Sequence, residues 1–286
     1  MAAFGSDSPL FDYQVYRFGE KQQLYRGPVP DLRGRYIAYL GATATFGRFV
    51  ERPFAQVVAE ETGLAALNLG ADGAGPGFFL QDADVLQLVE GAALCVLEVM
   101  GADAISNRMY SVRPRRNARL HTVSDLLRGI YPELDLDDIG QVSRLLAVLP
   151  QVDEQRFRLV ENEIKNAWIG RTLTLIGTLT VPVIVLWLSE RQPGEAVMDE
   201  AEPHFLKAPH FVDAAMVEAA TTAADGYVEC VSAEGLPQDL TRSGEPVLFR
   251  ASGQPILANL RYPSPEMHAR AAERLVPEVE RLLRRR

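Results

Sequence analysis

Cysteine is scarce in this chain. Cys95 and Cys230 are its only two thiols in 286 residues, too few for a disulfide framework. Both lie in apolar runs, AALCVLEVM and GYVECVS, the setting of buried, reduced thiols in strands. Histidine is scarce too. The four present show no spacing with Cys, Asp or Glu that makes a metal site. Positive charge is in deficit, with 29 Lys and Arg against 38 Asp and Glu. Adhesion to nucleic acid over the whole surface needs a basic face, so that partner class is excluded. The opening MAAFGSDSPLFDYQ has neither a basic n-region nor an apolar h-region. No signal peptide is therefore expected, and a cytoplasmic location follows by default. No internal repeat or low-complexity segment is present. One stretch, WIGRTLTLIGTLTVPVIVLWL at 168–188, is apolar enough to compare with a membrane span. Arg171 interrupts it and Pro182 splits it, so it reads as a helix end followed by a buried strand.

What is present is a chain with 47% hydrophobic residues, enough for a full core at this length. Five short apolar runs read as buried strands: RYIAYLG (35–41), AALNLG (65–70), ALCVLEVMG (93–101), PVIVLWLS (182–189) and YVECVS (227–232). Helical patterns alternate with them at 50–62, 78–90, 154–177, 211–224 and 264–283. The alternation predicts a three-layer α/β fold, a doubly wound, flavodoxin-like parallel sheet of five strands. Residues 1–34 read as an irregular arm packed on an α/β domain at 35–286. The connection after the third strand is too long for a bare loop. It reads as a helical insertion over about residues 104–153, carrying the patterns HTVSDLLRGIY and DIGQVSRLLAVL.

In an open parallel sheet, ligands bind at the carboxyl ends of the strands. GATATFG (41–47), NLGADGAGP (68–76) and MGADAISN (100–107) all fall there. These three loops resemble the blocks of the SGNH (GDSL-type) hydrolases, and a divergent bacterial group at the edge of that superfamily. Gly41, Thr43, Thr45 and Gly47 match the frame G-D-S-x-T-x-G, with alanine at the aspartate position and threonine at the serine position. Asn68 and Gly73 belong to an Asn- and Gly-containing second block. GADA matches G-x-N-D in frame, with Asp103 at the asparagine position. A histidine, His268, opens the last helix, but Pro265 stands where the D-x-x-H block has its aspartate.

The resemblance implies an SGNH-like fold and ester or acyl chemistry on a small ester or an acylated carbohydrate. Thr43 is the implied nucleophile, although its methyl crowds attack; the alternative is a helix cap or a ligand hydrogen bond. His268 is the candidate base, because a helix N-terminus disfavours the imidazolium. The Gly73 N–H is the candidate oxyanion donor. Asp103 is an obstacle there, since an ionised carboxylate donates no proton: either Asp103 is protonated, or Asn107 is the substitute donor, or Asp103 has another role such as orienting Thr43 or binding a sugar hydroxyl. Thr45 and Asn68 are candidate substrate contacts, Thr45 reading also as a support of its loop. Arg108, Arg113, Arg115 and Arg116 can bind an anion by paired N–H bonds or serve as a solvated, salt-bridged surface. His121 can cap an insertion helix. His210 and Asp213 form a reversed D-x-x-H at a helix entry, and His204 lies in an acidic loop.

Two further readings remain: a lapsed member of the fold that binds a carbohydrate or small ligand, and a sulfo- or other group transferase using the arginines. No G-x-x-x-x-G-K-[ST] loop supports phosphate binding, and GADGAGPG lacks the G-x-G-x-x-G frame, so no cofactor is expected.

Overall fold

The apolar runs become one five-stranded sheet: β1 Tyr36–Gly41, β2 Ala65–Gly70, β3 Leu94–Glu98, β4 Val183–Ser189 and β5 Gly226–Val231. The computed structural model describes residues 11, 13–19, 22–113, 116–197, 207–242, 245–249 and 254–284. Strand order is β2-β1-β3-β4-β5, and every pairing is parallel. The three central strands β1, β3 and β4 are buried along their whole length. That is why their sequences are near-continuous apolar runs rather than alternating ones. The chain steps outward from β1 to β2, then crosses back to β3. This reversal leaves a crevice beyond the carboxyl ends of β1 and β3.

The connecting helices are α1 Thr43–Phe46, α2 Phe54–Thr62, α3 Pro76–Phe79, α4 Ala83–Glu90, α5 Asp125–Ile130, α6 Val142–Val152, α7 Glu154–Thr178, α8 Ala214–Ala223 and α9 Pro265–Leu283. Successive strand residues point to opposite sides of the sheet. Ile37 and Tyr39 of β1 pack with Phe54 and Val58 of α2 and with Ala271, Leu275 and Val279 of α9. Ala38 and Leu40 pack in the other cluster with Val85 of α4, Trp168 and Leu175 of α7 and Met216 of α8. Cys95 and Cys230 are buried free thiols in β3 and β5. Asp82, Asp153, Asp213 and Ser264 cap α4, α7, α8 and α9 by accepting a main-chain N–H, and Pro265 supplies a fixed φ in the first turn of α9.

The 168–188 stretch divides at its proline: α7 ends at Thr178 and β4 begins at Val183. Among the described residues no helix is long and apolar enough to cross a membrane. The connection after β3 differs from a purely helical insertion. It holds an antiparallel hairpin, Tyr110–Arg113 with Arg116–Val123, before α5 and α6. Its first arm alternates, Tyr110 and Val112 buried and Arg113 exposed, the period of a strand with one covered face. His121 lies in the second arm and does not cap α5; Ser124 does, accepting from Leu127 N at 3.2 Å. A shorter antiparallel pair, Tyr16–Phe18 with Gln23–Tyr25, stands in the N-terminal segment expected to be irregular.

Candidate active site

The turn after β1 is built on a carboxylate from a neighbouring strand. Glu98, the last residue of β3, is buried. Its Oε2 accepts the Ala42 N–H at 3.0 Å, the Thr45 N–H at 2.8 Å and the Thr45 hydroxyl at 2.5 Å. Burial lifts the Glu98 pKa, and these hydrogen bonds offset only part of that rise. A Cβ at Gly41 would stand 2.0 Å from Thr45 Oγ1 and 2.3 Å from Glu98 Oε2, so only glycine fits there. Asn68 completes the support: its amide donates to Thr45 O at 2.7 Å and its Oδ1 accepts the Gly70 N–H at 2.9 Å. Thr45 and Asn68, candidate substrate contacts in the sequence, are struts of this turn.

Thr43 is held differently. Its hydroxyl does not cap α1; it donates to Asp72 Oδ1 at 3.0 Å. Asp72 precedes Gly73 in the loop after β2, and Gly73 has a φ of 65°. These residues face a cavity of about 310 Å³, whose lining also includes Glu98, Asp103, Glu190, His210, Arg261 and Tyr262. Its volume is at the small end of ligand sites. In the same lining, His210 Nδ1 lies 3.7 Å from Asp103 Oδ1. The Ala102 N–H donates to the His210 carbonyl at 2.9 Å, which ties the histidine loop to the loop after β3. The following residue, Phe211, takes a φ of 60°. For a bulky side chain such a conformation costs about 1–3 kcal/mol and persists only where surrounding contacts fix it. Glu190 is ion-paired with Lys207.

His268 lies elsewhere. It is fully buried, stacks on Phe54 with ring centroids 5.5 Å apart, and accepts the Phe54 N–H on Nδ1 at 3.0 Å. It does not line the cavity. Burial, with a smaller push from Arg26, takes its pKa down to about 3. The helix-start signals around it are sound, but helical phase puts position 268 on the buried face with Met267, Ala271, Ala272 and Leu275.

Asn107 is spent on its own turn. Its Oδ1 accepts the N–H groups of Met109 and Tyr110 at 2.8 and 3.1 Å, and its amide donates to Ile105 O at 3.1 Å. Arg108 pairs with Glu163 of α7, and Arg113 donates to Leu120 O at 3.3 Å. Neither lines the cavity. Arg116 is the backbone register partner of Arg113 in the hairpin. Arg115 and His204 lie outside the described residues. Asp213 caps α8 and bridges to Lys165 at 3.0 Å rather than orienting His210. Sequence reasoning missed Asp72, Glu98, Glu190, Arg261 and Tyr262; only Asp72, adjoining Gly73 in a strand-end loop, carried a local signal.

A roomier cleft of about 520 Å³ lies between the N-terminal ends of α2 and α9 and the strand residues Gln238 to Thr241. Its walls, Phe49, Val50, Val57 and Leu240 among them, hold one hydroxyl–carboxylate pair, Thr241 with Asp239 at 3.0 Å, but no histidine beside it, so the smaller cavity, which has His210, is the candidate site. Among the described residues no group of three or more His, Cys, Asp or Glu is placed to hold a metal ion.

The family described as Domain of unknown function (DUF6473) matches residues 1–283, and the chain belongs to it. No curated protein matches the chain. Two solved structures are similar to it, both catalytic mutants of Axe2, an acetylxylan esterase from Geobacillus stearothermophilus. The histidine-to-alanine mutant has 14% identity and a TM-score of 0.41, and the serine-to-alanine mutant 12% and 0.40. Each similarity covers 86% of this chain and 94% of the other.

Proposed function

We propose that the chain is an SGNH-like hydrolase that cleaves a small ester through Thr43, with Asp72, His210 and Asp103 as its acid–base groups. The observation that carries this reading is the meeting of two pairs on one cavity: Thr43 with Asp72, and His210 with Asp103. A hydroxyl nucleophile needs an acceptor within hydrogen-bond reach, and Asp72 is 3.0 Å from Thr43 Oγ1. A leaving alkoxide needs a proton donor, and an imidazolium beside a carboxylate is one.

In this mechanism Thr43 Oγ1 attacks the ester carbonyl and its proton passes to Asp72. The Thr43 oxygen–acyl carbon bond forms as the ester C–O bond breaks, and His210 gives its Nε2 proton to the departing alcohol. Water then attacks the acyl-threonine, neutral His210 takes the water proton, and Asp72 returns its proton to Thr43. The Gly73 N–H is the oxyanion donor of the proposal. Asp103 orients and charges His210, which gives the in-frame Asn-to-Asp change a role other than oxyanion binding. The small cavity suits a short acyl group on a small alcohol or sugar.

The test is hydrolysis of ethyl acetate by the full chain, an ester whose departing alkoxide needs the proton that 4-nitrophenolate does not. Thr43→Ala and His210→Ala each lower kcat/KM at least about 100-fold, the usual worth of a nucleophile's activation or a general acid–base group. Activity unchanged in either variant would end the reading. A second reading, carbohydrate binding without turnover, is favoured by the carboxylates of Asp72, Glu98, Asp103 and Glu190 around the cavity, which accept from sugar hydroxyls. It predicts binding of neutral sugars by calorimetry with no ester cleavage.

A further inference from the structure

Arg191 is a fully buried arginine two residues beyond the end of β4. A buried guanidinium normally faces a carboxylate, because its desolvation must be offset by charge. Here every side-chain acceptor among the described residues is a main-chain carbonyl. Nε donates to Lys207 O at 2.7 Å. Nη2 donates to Pro209 O at 2.7 Å and Val212 O at 2.9 Å. Nη1 reaches Gln192 O and Glu195 O, both at 3.4 Å. Three of these carbonyls lie in residues 207–212 and bracket His210. The arginine is itself fixed: its guanidinium lies over the Trp187 ring, 5.1 Å from the centroid, and its carbonyl accepts the Trp187 indole N–H at 2.8 Å. Ser189 adds a second tie, donating its hydroxyl to Ala208 O at 2.6 Å while accepting the Arg191 N–H at 3.1 Å.

These bonds are concentrated where the backbone needs them. Phe211 holds a left-handed φ of 60°, and the segment turns sharply enough for His210 to face the loop after β3. Carbonyls on both sides of that turn converge on one planar fork, an arrangement that five N–H donors at fixed angles can satisfy and a flexible ammonium cannot.

We infer that Arg191 is a positioning residue: by clamping the carbonyls of Lys207, Pro209 and Val212 it fixes the turn that sets His210 against Asp103. This rests on His210 being the acid–base group proposed above.

The test reads that geometry without turnover. Four histidines make the imidazole spectrum of the full chain assignable. In the wild-type background, Asp103→Asn removes a carboxylate 3.7 Å from His210 Nδ1 and lowers the imidazole pKa by about half a unit or more. In Arg191→Met the shift caused by Asp103→Asn shrinks at least threefold, while the His268 resonance keeps its wild-type position. Arg191→Lys, whose single ammonium cannot span the carbonyls, gives an intermediate shift. The other charged groups lining the cavity, Asp72, Glu98, Glu190 and Arg261, are untouched by these substitutions. A shift as large as the wild type's in either Arg191 variant would overturn the assignment. If Arg191→Met does not fold, Arg191→Lys decides by the same criterion. Turnover is read separately. A chain that cleaves no ester yet shows the Arg191-dependent coupling refutes the hydrolase reading and leaves the clamp standing.

Discussion

Replacing His268 by glutamine should remove a definite part of the pH dependence of folding. In the native state this imidazole is buried and neutral, with its pKa taken down to about 3 from an ordinary 6.5. The unfolded chain therefore binds a proton below about pH 6.5 that the native state refuses. Stability rises with pH wherever the unfolded state holds more protons. The contribution of His268 is thus fully present above pH 6.5 and is lost as pH falls toward 3. Each pH unit between those values is worth about 1.4 kcal/mol, so the loss from pH 8 to pH 5 is about 2 kcal/mol. Glutamine does not titrate, and its carbonyl oxygen can still accept the Phe54 N–H that Nδ1 now accepts. The other histidines and the carboxylates titrate in both proteins and cancel in the difference. The assay is urea unfolding at several pH values. The wild type should lose about 2 kcal/mol more than His268→Gln between pH 8 and pH 5. Equal losses would mean that His268 meets solvent and is charged in the native state, which would refute its placement in the core and reopen it as a base.

The same variant separates core from site in a second way: at pH 8, His268→Gln should keep ester turnover, whereas His210→Ala should lose it, both read with one chromogenic acetate. Glu98 has the opposite sign. Its native pKa is raised by burial, so its contribution is present below the ordinary carboxylate range and lost as pH rises through the native value. Glu98→Gln should therefore gain stability relative to the wild type as pH rises from 4 to 7, measured by thermal unfolding; a constant difference would contradict this. Gly41→Ala should lower both melting temperature and turnover, because its methyl lands on Thr45 Oγ1 and Glu98 Oε2 at once. Destabilisation of about 1–3 kcal/mol is the usual result of such overpacking, and a neutral effect would mean the turn is looser than described.

The central strands were legible because strands covered on both faces carry unbroken apolar sequence, as YIAYLG and VIVLWLS do. The hairpins at 16–25 and 110–123 were not, because three of their four arms have only three or four residues and the fourth, RNARLHTV, is too polar to stand out as an apolar run. Strand-end loops of a parallel sheet converge by topology, so the shared cavity of Thr43, Gly73 and Asp103 could be anticipated from chain order. The partner of that cluster could not. Whether a histidine at a helix start faces solvent, core or cavity depends on helix phase and packing, and for His268 the phase turns it inward against Phe54. His210 reaches Asp103 through a turn held by Arg191, a residue whose donors act 16 to 21 positions along the chain. Asp72 was hidden for a simpler reason: an aspartate in a glycine-rich loop reads as turn chemistry until a hydroxyl is found beside it.

The most direct measurement is rapid quenching of the full chain with excess 4-nitrophenyl acetate, followed by peptide mass analysis in the wild type, Thr43→Ala and His210→Ala. The expected result is an acetyl group on Thr43 in the wild type, none in the peptide of Thr43→Ala, and a longer-lived acetyl group in His210→Ala, because 4-nitrophenolate leaves without an acid while the attacking water needs His210 as base. Ester cleavage that proceeds at the wild-type rate in Thr43→Ala, or an acetyl group carried only on another residue, would contradict it.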